Sequence, residues 1–352
     1  MKRFLVVMLA LNIASLWFPG SIRALPEGLE VSTYKGGLNF PVDMAWVPGT
    51  KRIFFTEKRG KIRILDDGNL RNRDCRSLDV NDDGERGLLG IVLHPDFESN
   101  HWLYVYYANA SPLENRVTRF TVEDGRCRNA THIVTGISAA SSGYHNGGQL
   151  EFIGNKLFVS TGEGHDPDLA QTKGSRLGKI LRYNADGSIP EGNPFSKNGN
   201  PTAVWSYGHR NPFGLAHKPG TQRLYETENG PTCDDELNLI KKGRNYGWGD
   251  AYDCGTAGEG SNPKAPIHRW TNIVVPTDAW WYRGSINRYS NRLFVGDYGN
   301  GRLHKFKLNN EGTRVQEHSI AYDGSEGIID VSEGPGGWLY FLTSDSIRRI
   351  HN

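Results

Sequence analysis

The chain has 352 residues, 43 of them glycine, 11% aromatic side chains, and a near-even balance of 41 basic and 39 acidic residues. That length is ample for a buried core, and closed β architectures reach it as one unit. The charge balance excludes the basic signature of a nucleic-acid or anionic-membrane binder, and glycine-rich turns with many aromatics favour short strands over long helices.

The N-terminus reads Lys2-Arg3, then a mostly apolar run from Phe4 to Trp17, then Pro19-Gly20 and Ser21-Ile22-Arg23-Ala24. This order is that of a secretory signal, with cleavage expected near Ala24 and a secreted or periplasmic destination. The apolar run is short for a membrane span, and no later stretch is long enough for one. Residues 1–24 hold three basic side chains and no acid, so residues 25–352 carry 38 basic and 39 acidic ones. We expect those residues to form a single domain.

No segment sustains a helical period. Short β-rich runs recur instead, separated by Gly, Asn, Asp and Pro. A polar start, then Leu-Phe/Tyr-Val-like residues, then Ser, Thr or Gly appears at Arg52, Trp102, Lys156, Arg223, Arg292 and Trp338. The spacing is that of propeller blades, and a glycine turn often leads into a second strand, as in Gly60-Lys61-Ile62-Arg63-Ile64. The count predicts an all-β fold, a six-bladed β-propeller with four-stranded blades, with an irregular β-sandwich as the alternative. Ser346–His351 is strand-like and would pair with the start of the mature chain, closing the ring. Four cysteines allow three pairings; Cys75–Cys127 and Cys233–Cys254 are favoured because each closes a modest loop.

Four polar, glycine-rich clusters carry candidate chemistry. Asp82-Asp83-Gly84-Glu85 leads into Gly87-Leu88-Leu89-Gly90-Ile91-Val92-Leu93-His94-Pro95-Asp96-Phe97, whose His94 and Asp96 suit turn capping. Gly143-Tyr144-His145-Asn146-Gly147-Gly148 places an imidazole among glycines, where it could take a proton from a hydroxyl or simply cap a turn. Gly208-His209-Arg210-Asn211-Pro212-Phe213-Gly214 offers a guanidinium fork and an amide, which suit a carbonyl ligand or a structural ion pair. Glu228-Asn229-Gly230-Pro231-Thr232-Cys233-Asp234-Asp235-Glu236-Leu237-Asn238, followed by Asn245-Tyr246-Gly247-Trp248, offers oxygen ligands for calcium or a solvated acidic loop.

Taken in order, these motifs resemble the soluble PQQ-dependent aldose (glucose/sorbosone) dehydrogenase family, from about Gly37 to Ile350. The resemblance implies a propeller carrying pyrroloquinoline quinone (PQQ) and Ca²⁺. It implies oxidation of an aldose sugar at its anomeric carbon to the lactone, with electrons passed to an external acceptor. By the same match His145 would be the general base, with Glu163 orienting it. Arg210 and Asn211 would bind the quinone, with Arg283 as a further basic contact. Glu85 would face the substrate, and the carbonyls of Gly230 and Pro231 would hold Ca²⁺. PQQ supplies the redox chemistry in such an enzyme. Asp297 departs from the pattern, since a basic residue is expected near there. Asp297-Tyr298 also resembles relatives of the hedgehog-interacting propellers, which makes a non-enzymatic binding propeller the first alternative. A calcium-dependent propeller hydrolase is the second. It would need a central metal held by acids from several blades, whereas the acids here cluster in single loops. A monomer and a homodimer both stay open.

Overall fold

The computed structural model describes residues 25–352, so the expected signal segment lies outside the described residues. The phrase repeated six times in the sequence becomes the same element each time. Arg52–Glu57, Trp102–Asn109, Lys156–Thr161, Leu224–Glu228, Arg292–Asp297 and Trp338–Leu342 are the second strands of six sheets. Each lies between two strands of its own sheet and is covered by the neighbouring blades. Ile53, Phe54 and Phe55 are all fully buried, which is why these runs read as continuously apolar instead of alternating.

The protein is a six-bladed β-propeller with four strands in most blades. Six inner strands line the axis: Pro41–Trp46, Leu88–Leu93, Leu150–Ile153, Pro212–His217, Pro276–Tyr282 and Asp330–Gly334. Each packs against the next around the ring. In the first blade the outer edge is shared by Asn69–Leu70 and Arg76–Ser77. Glu30–Gly36 forms the outermost strand of the last blade, antiparallel to Ser346–His351, with Glu30 opposite His351 and Gly36 opposite Ser346. The two ends of the described chain thus close the ring as expected, leaving no edge between first and last blades. Both expected disulfides are present, Cys75–Cys127 and Cys233–Cys254.

One expectation fails on the axis. The acids are not confined to single loops, because the inner strands of four blades bring Asp43, Glu151, Asp278 and Asp330 around one cavity of about 940 Å³. Ile91 N donates to Asp43 Oδ2 at 2.6 Å, and Gln149 Nε2 donates to Asp278 Oδ1 at 2.7 Å. Burial, and then the neighbouring carboxyls, push Asp43, Glu151 and Asp330 well above the usual carboxylate range. Asp278 is raised by burial to about 6. These residues come from four separate blades, and even the nearest two, Asp278 and Asp330, are 52 positions apart in the chain, so local reading could not gather them.

Candidate active site

Antiparallel pairing puts the starts of inner strands and the ends of second strands on one face of the ring. The loop before Leu150–Ile153 brings His145 there, and the loop after Lys156–Thr161 brings Glu163. His145 adopts φ +54° between glycines. At Gly147 a Cβ would stand 2.8 Å from both Gly162 N and Thr161 Cα, so only glycine lets the two loops touch. His145 is 8% and Glu163 1% exposed. His145 Nδ1 donates to Glu163, at 2.6 Å from Oε2 and 2.8 Å from Oε1. That bond sets the tautomer and leaves the lone pair on Nε2, which has no partner among the described residues.

The turn before Pro212–His217 supplies Arg210 and Asn211. Arg210 Nη1 donates to Asn229 O at 2.9 Å, and the guanidinium lies 5.3 Å from the centre of the Trp248 ring. Its carbonyl accepts from Glu163 N at 2.8 Å. Asn211 Oδ1 accepts from Gly147 N at 3.1 Å, and its Nδ2 donates to Glu85 Oε2 at 3.2 Å. Glu85 Oε2 also accepts from His145 N at 2.9 Å. Four of the expected site residues thus join one network: His145 and Asn211 share Glu85, while Glu163 is tied to His145 by its carboxylate.

Gly230 and Pro231 follow the second strand of the same blade. Gly230 N donates to Asp235 Oδ1 at 2.9 Å, and Asp235 Oδ2 accepts from Val274 N and Val275 N at 2.7 and 2.9 Å. The loop is therefore pinned while the carbonyls of Gly230 and Pro231 accept no hydrogen bond among the described residues. The solvated-loop reading of the acids beyond them fails: Asp234, Asp235 and Glu236 are all buried.

Arg283 is not brought to this face, against expectation. It follows Tyr282, the last residue of an inner strand whose first residue, Pro276, accepts at its carbonyl from Asn229 Nδ2 at 3.0 Å beside the site. Seven residues of strand, at about 3.3 Å each, carry the chain to the opposite face. There Arg283 lines the axial cavity, and its N–H donates to Glu333 Oε2 at 2.9 Å. Asp297, the other departure, is fully buried within its own blade. It accepts from Asn300 N and Nδ2 at 2.7 and 2.9 Å and pairs with His304 Nε2 at 3.2 Å.

The structure adds residues whose roles the sequence did not show. Glu228 Oε1 accepts from Arg210 N at 3.0 Å and Asn211 N at 2.5 Å, strapping the turn that presents both side chains. His165 packs its edge against His145, with ring centres 4.1 Å apart, and stacks on the exposed Tyr144 at 5.7 Å. Burial and the His145 ring hold its pKa below the ordinary value. Trp248 Nε1 is buried with no hydrogen-bond partner beside Arg210. Glu228 and Trp248 do stand in the quoted motifs, but only folding shows what they touch.

The glucose/sorbosone dehydrogenase family profile matches residues 38–351. The chain belongs to that family. It is 30% identical over 365 residues to the aldose sugar dehydrogenase YliI of Escherichia coli, covering 97% of this chain and 95% of that one. It is 34% identical over 260 residues to quinoprotein glucose dehydrogenase B of Acinetobacter calcoaceticus, covering 64% of this chain and 53% of that one. The PQQ-bound aldose sugar dehydrogenase of Streptomyces coelicolor superposes with a TM-score of 0.80 at 30% identity, covering 93% and 99% of the two chains. The family member described here is therefore an oxidoreductase, a sugar dehydrogenase by descent. Among the described residues no helix is long and apolar enough to cross a membrane.

Proposed function

We propose that this protein oxidises an aldose at its anomeric carbon to the lactone, using PQQ and Ca²⁺ and passing the electrons to an external acceptor. The observation that carries the reading is the buried His145–Glu163 dyad, joined through Glu85 and the Arg210 carbonyl to the turn that presents Arg210 and Asn211. The printed names of the relatives, a quinoprotein and a PQQ-bound enzyme among them, support the cofactor.

The donor set fits both groups. A planar, polycarboxylate quinone suits the Arg210 guanidinium together with the Trp248 indole and its unpartnered Nε1. The carbonyls of Gly230 and Pro231 are hard oxygen donors of the kind Ca²⁺ takes. Asp297, the acid that departs from the expected pattern, is buried and engaged within its own blade with Asn300 and His304. When bound, PQQ supplies the hydride acceptor and Ca²⁺ adds positive charge beside it.

The chain's own residues do the rest. His145 Nε2 takes the proton of the anomeric hydroxyl. The Glu163 carboxylate, already on Nδ1, stabilises the imidazolium that forms. Arg210 and the second N–H of Asn211 bind and polarise the quinone oxygens. Glu85 Oε1, which has no partner among the described residues, accepts from a sugar hydroxyl. Export after cleavage near Ala24, to a secreted or periplasmic location, completes the proposal, and two disulfides suit such an oxidising compartment.

The test is a titration of metal-stripped protein with PQQ and Ca²⁺, followed by a panel of aldoses with a dye acceptor. Saturable, calcium-dependent PQQ binding with lactone formation and dye reduction is expected. Absence of PQQ binding sinks the proposal.

A further inference from the structure

Beneath the Arg210–Asn211 turn, one face of the fourth blade carries an excess of buried oxygen acceptors. Glu226 and Glu228 stand two apart on its second strand, so both point to the same side. Their cross-strand partners are Asn238 and Glu236, respectively. Glu226 and Asn238 are fully buried, and both carboxylate oxygens of Glu226 and Oδ1 of Asn238 lack any hydrogen-bond partner. The nearby cations answer other groups. Arg269 Nη2 pairs with Glu236 Oε1 at 3.2 Å. Lys179 Nζ is spent on the carbonyls of Leu169, Ala170 and Leu177.

His209, also fully buried, completes the cluster. Its Nδ1 lies 3.0 Å from Glu228 Oε2 and 3.9 Å from Glu226 Oε2. One ligand atom from each of the three residues falls within 4.8 Å of the others. On its far side Nε2 stands 2.9 Å from Ser206 Oγ. With Nε2–H donating to Ser206, the lone pair of Nδ1 faces the carboxylates, the arrangement in which a histidine ligates a metal.

We infer that His209 Nδ1, Glu226 and Glu228 bind a first-row divalent ion, Zn²⁺ or Mn²⁺, at a second metal site. The nitrogen ligand separates it from the all-oxygen chemistry that calcium takes at Gly230 and Pro231. Both oxygens of the fully buried Glu226 carboxylate are left without a partner, a cost that a bound cation removes. The ion would also act on the active site, because the other oxygen of Glu228 holds the N–H groups of Arg210 and Asn211. The inference stands whether or not PQQ is the cofactor.

The test is elemental analysis of the full chain, expressed with zinc and manganese in the medium and freed of loose metal by gel filtration. One equivalent of zinc or manganese per chain is expected, lost in both Glu226→Gln and His209→Gln. Cobalt-grown wild type should show a visible ligand-field band that Glu226→Gln lacks. Wild-type protein with neither a first-row ion nor a cobalt band overturns the inference, even if the variants fail to fold. Full metal content in both variants overturns it too.

Discussion

Glu163 reaches His145 through a 2.6 Å bond in a site almost closed to water. In the proposed reaction it would do two things at once: hold the proton on Nδ1 and balance the charge that His145 gains on accepting another. Glu163→Gln removes the charge and permits the opposite tautomer, so kcat should fall by about 10²–10⁴-fold with PQQ affinity little changed. Steady-state kinetics beside a PQQ titration measures both. Arg210 lies in the fields of Glu163, Glu228, Glu85 and Asp235. Arg210→Ala leaves that acidic bowl uncompensated, and loss of one charged hydrogen bond should weaken PQQ binding by about 10–100-fold. An unchanged dissociation constant would remove Arg210 from the cofactor. Residue types and motif order were enough to nominate this pair of roles. The ties from Glu85 and Glu228 were hidden, because each spans a sequence gap that only the propeller closes.

Strands decide which motif can work with which. Second strands were legible because burial on both sides makes them continuous apolar runs, as at Ile53-Phe54-Phe55. Arg283 was misplaced for the converse reason: a motif beside an inner strand does not say at which end of that strand its last residue emerges. The Gly147 contact is an element-level joint, since it lets the loops of His145 and Glu163 meet. Gly147→Ala meets Gly162 N and Thr161 Cα at a φ of +61°. It should cost about 1–3 kcal/mol of stability, read by urea unfolding, and lower kcat as the dyad is pushed apart.

At the scale of the whole ring, closure by Glu30–Gly36 was readable from the strand-like C-terminus, whereas the axial acids were not. Each inner strand contributes at most one or two, and convergence is a property of the circle. Asp278 has a folded pKa near 6 against an ordinary value of 3.8, so the native state holds its proton longer than the unfolded chain. Stability contributed by this group should therefore fall as pH rises from about 4 through about 6. Asp278→Asn keeps an oxygen for Gln149 Nε2 and Leu215 N and should flatten that slope. Thermal unfolding of both proteins across this range measures it; parallel profiles would contradict the assignment.

The dyad itself is tested most directly by His145→Gln, assayed for PQQ binding by absorbance and for aldose oxidation by dye reduction in the same preparation. The account predicts PQQ binding close to wild type with turnover reduced by about 10²-fold or more. Turnover at the wild-type rate would contradict it, by showing that another group takes the sugar's proton.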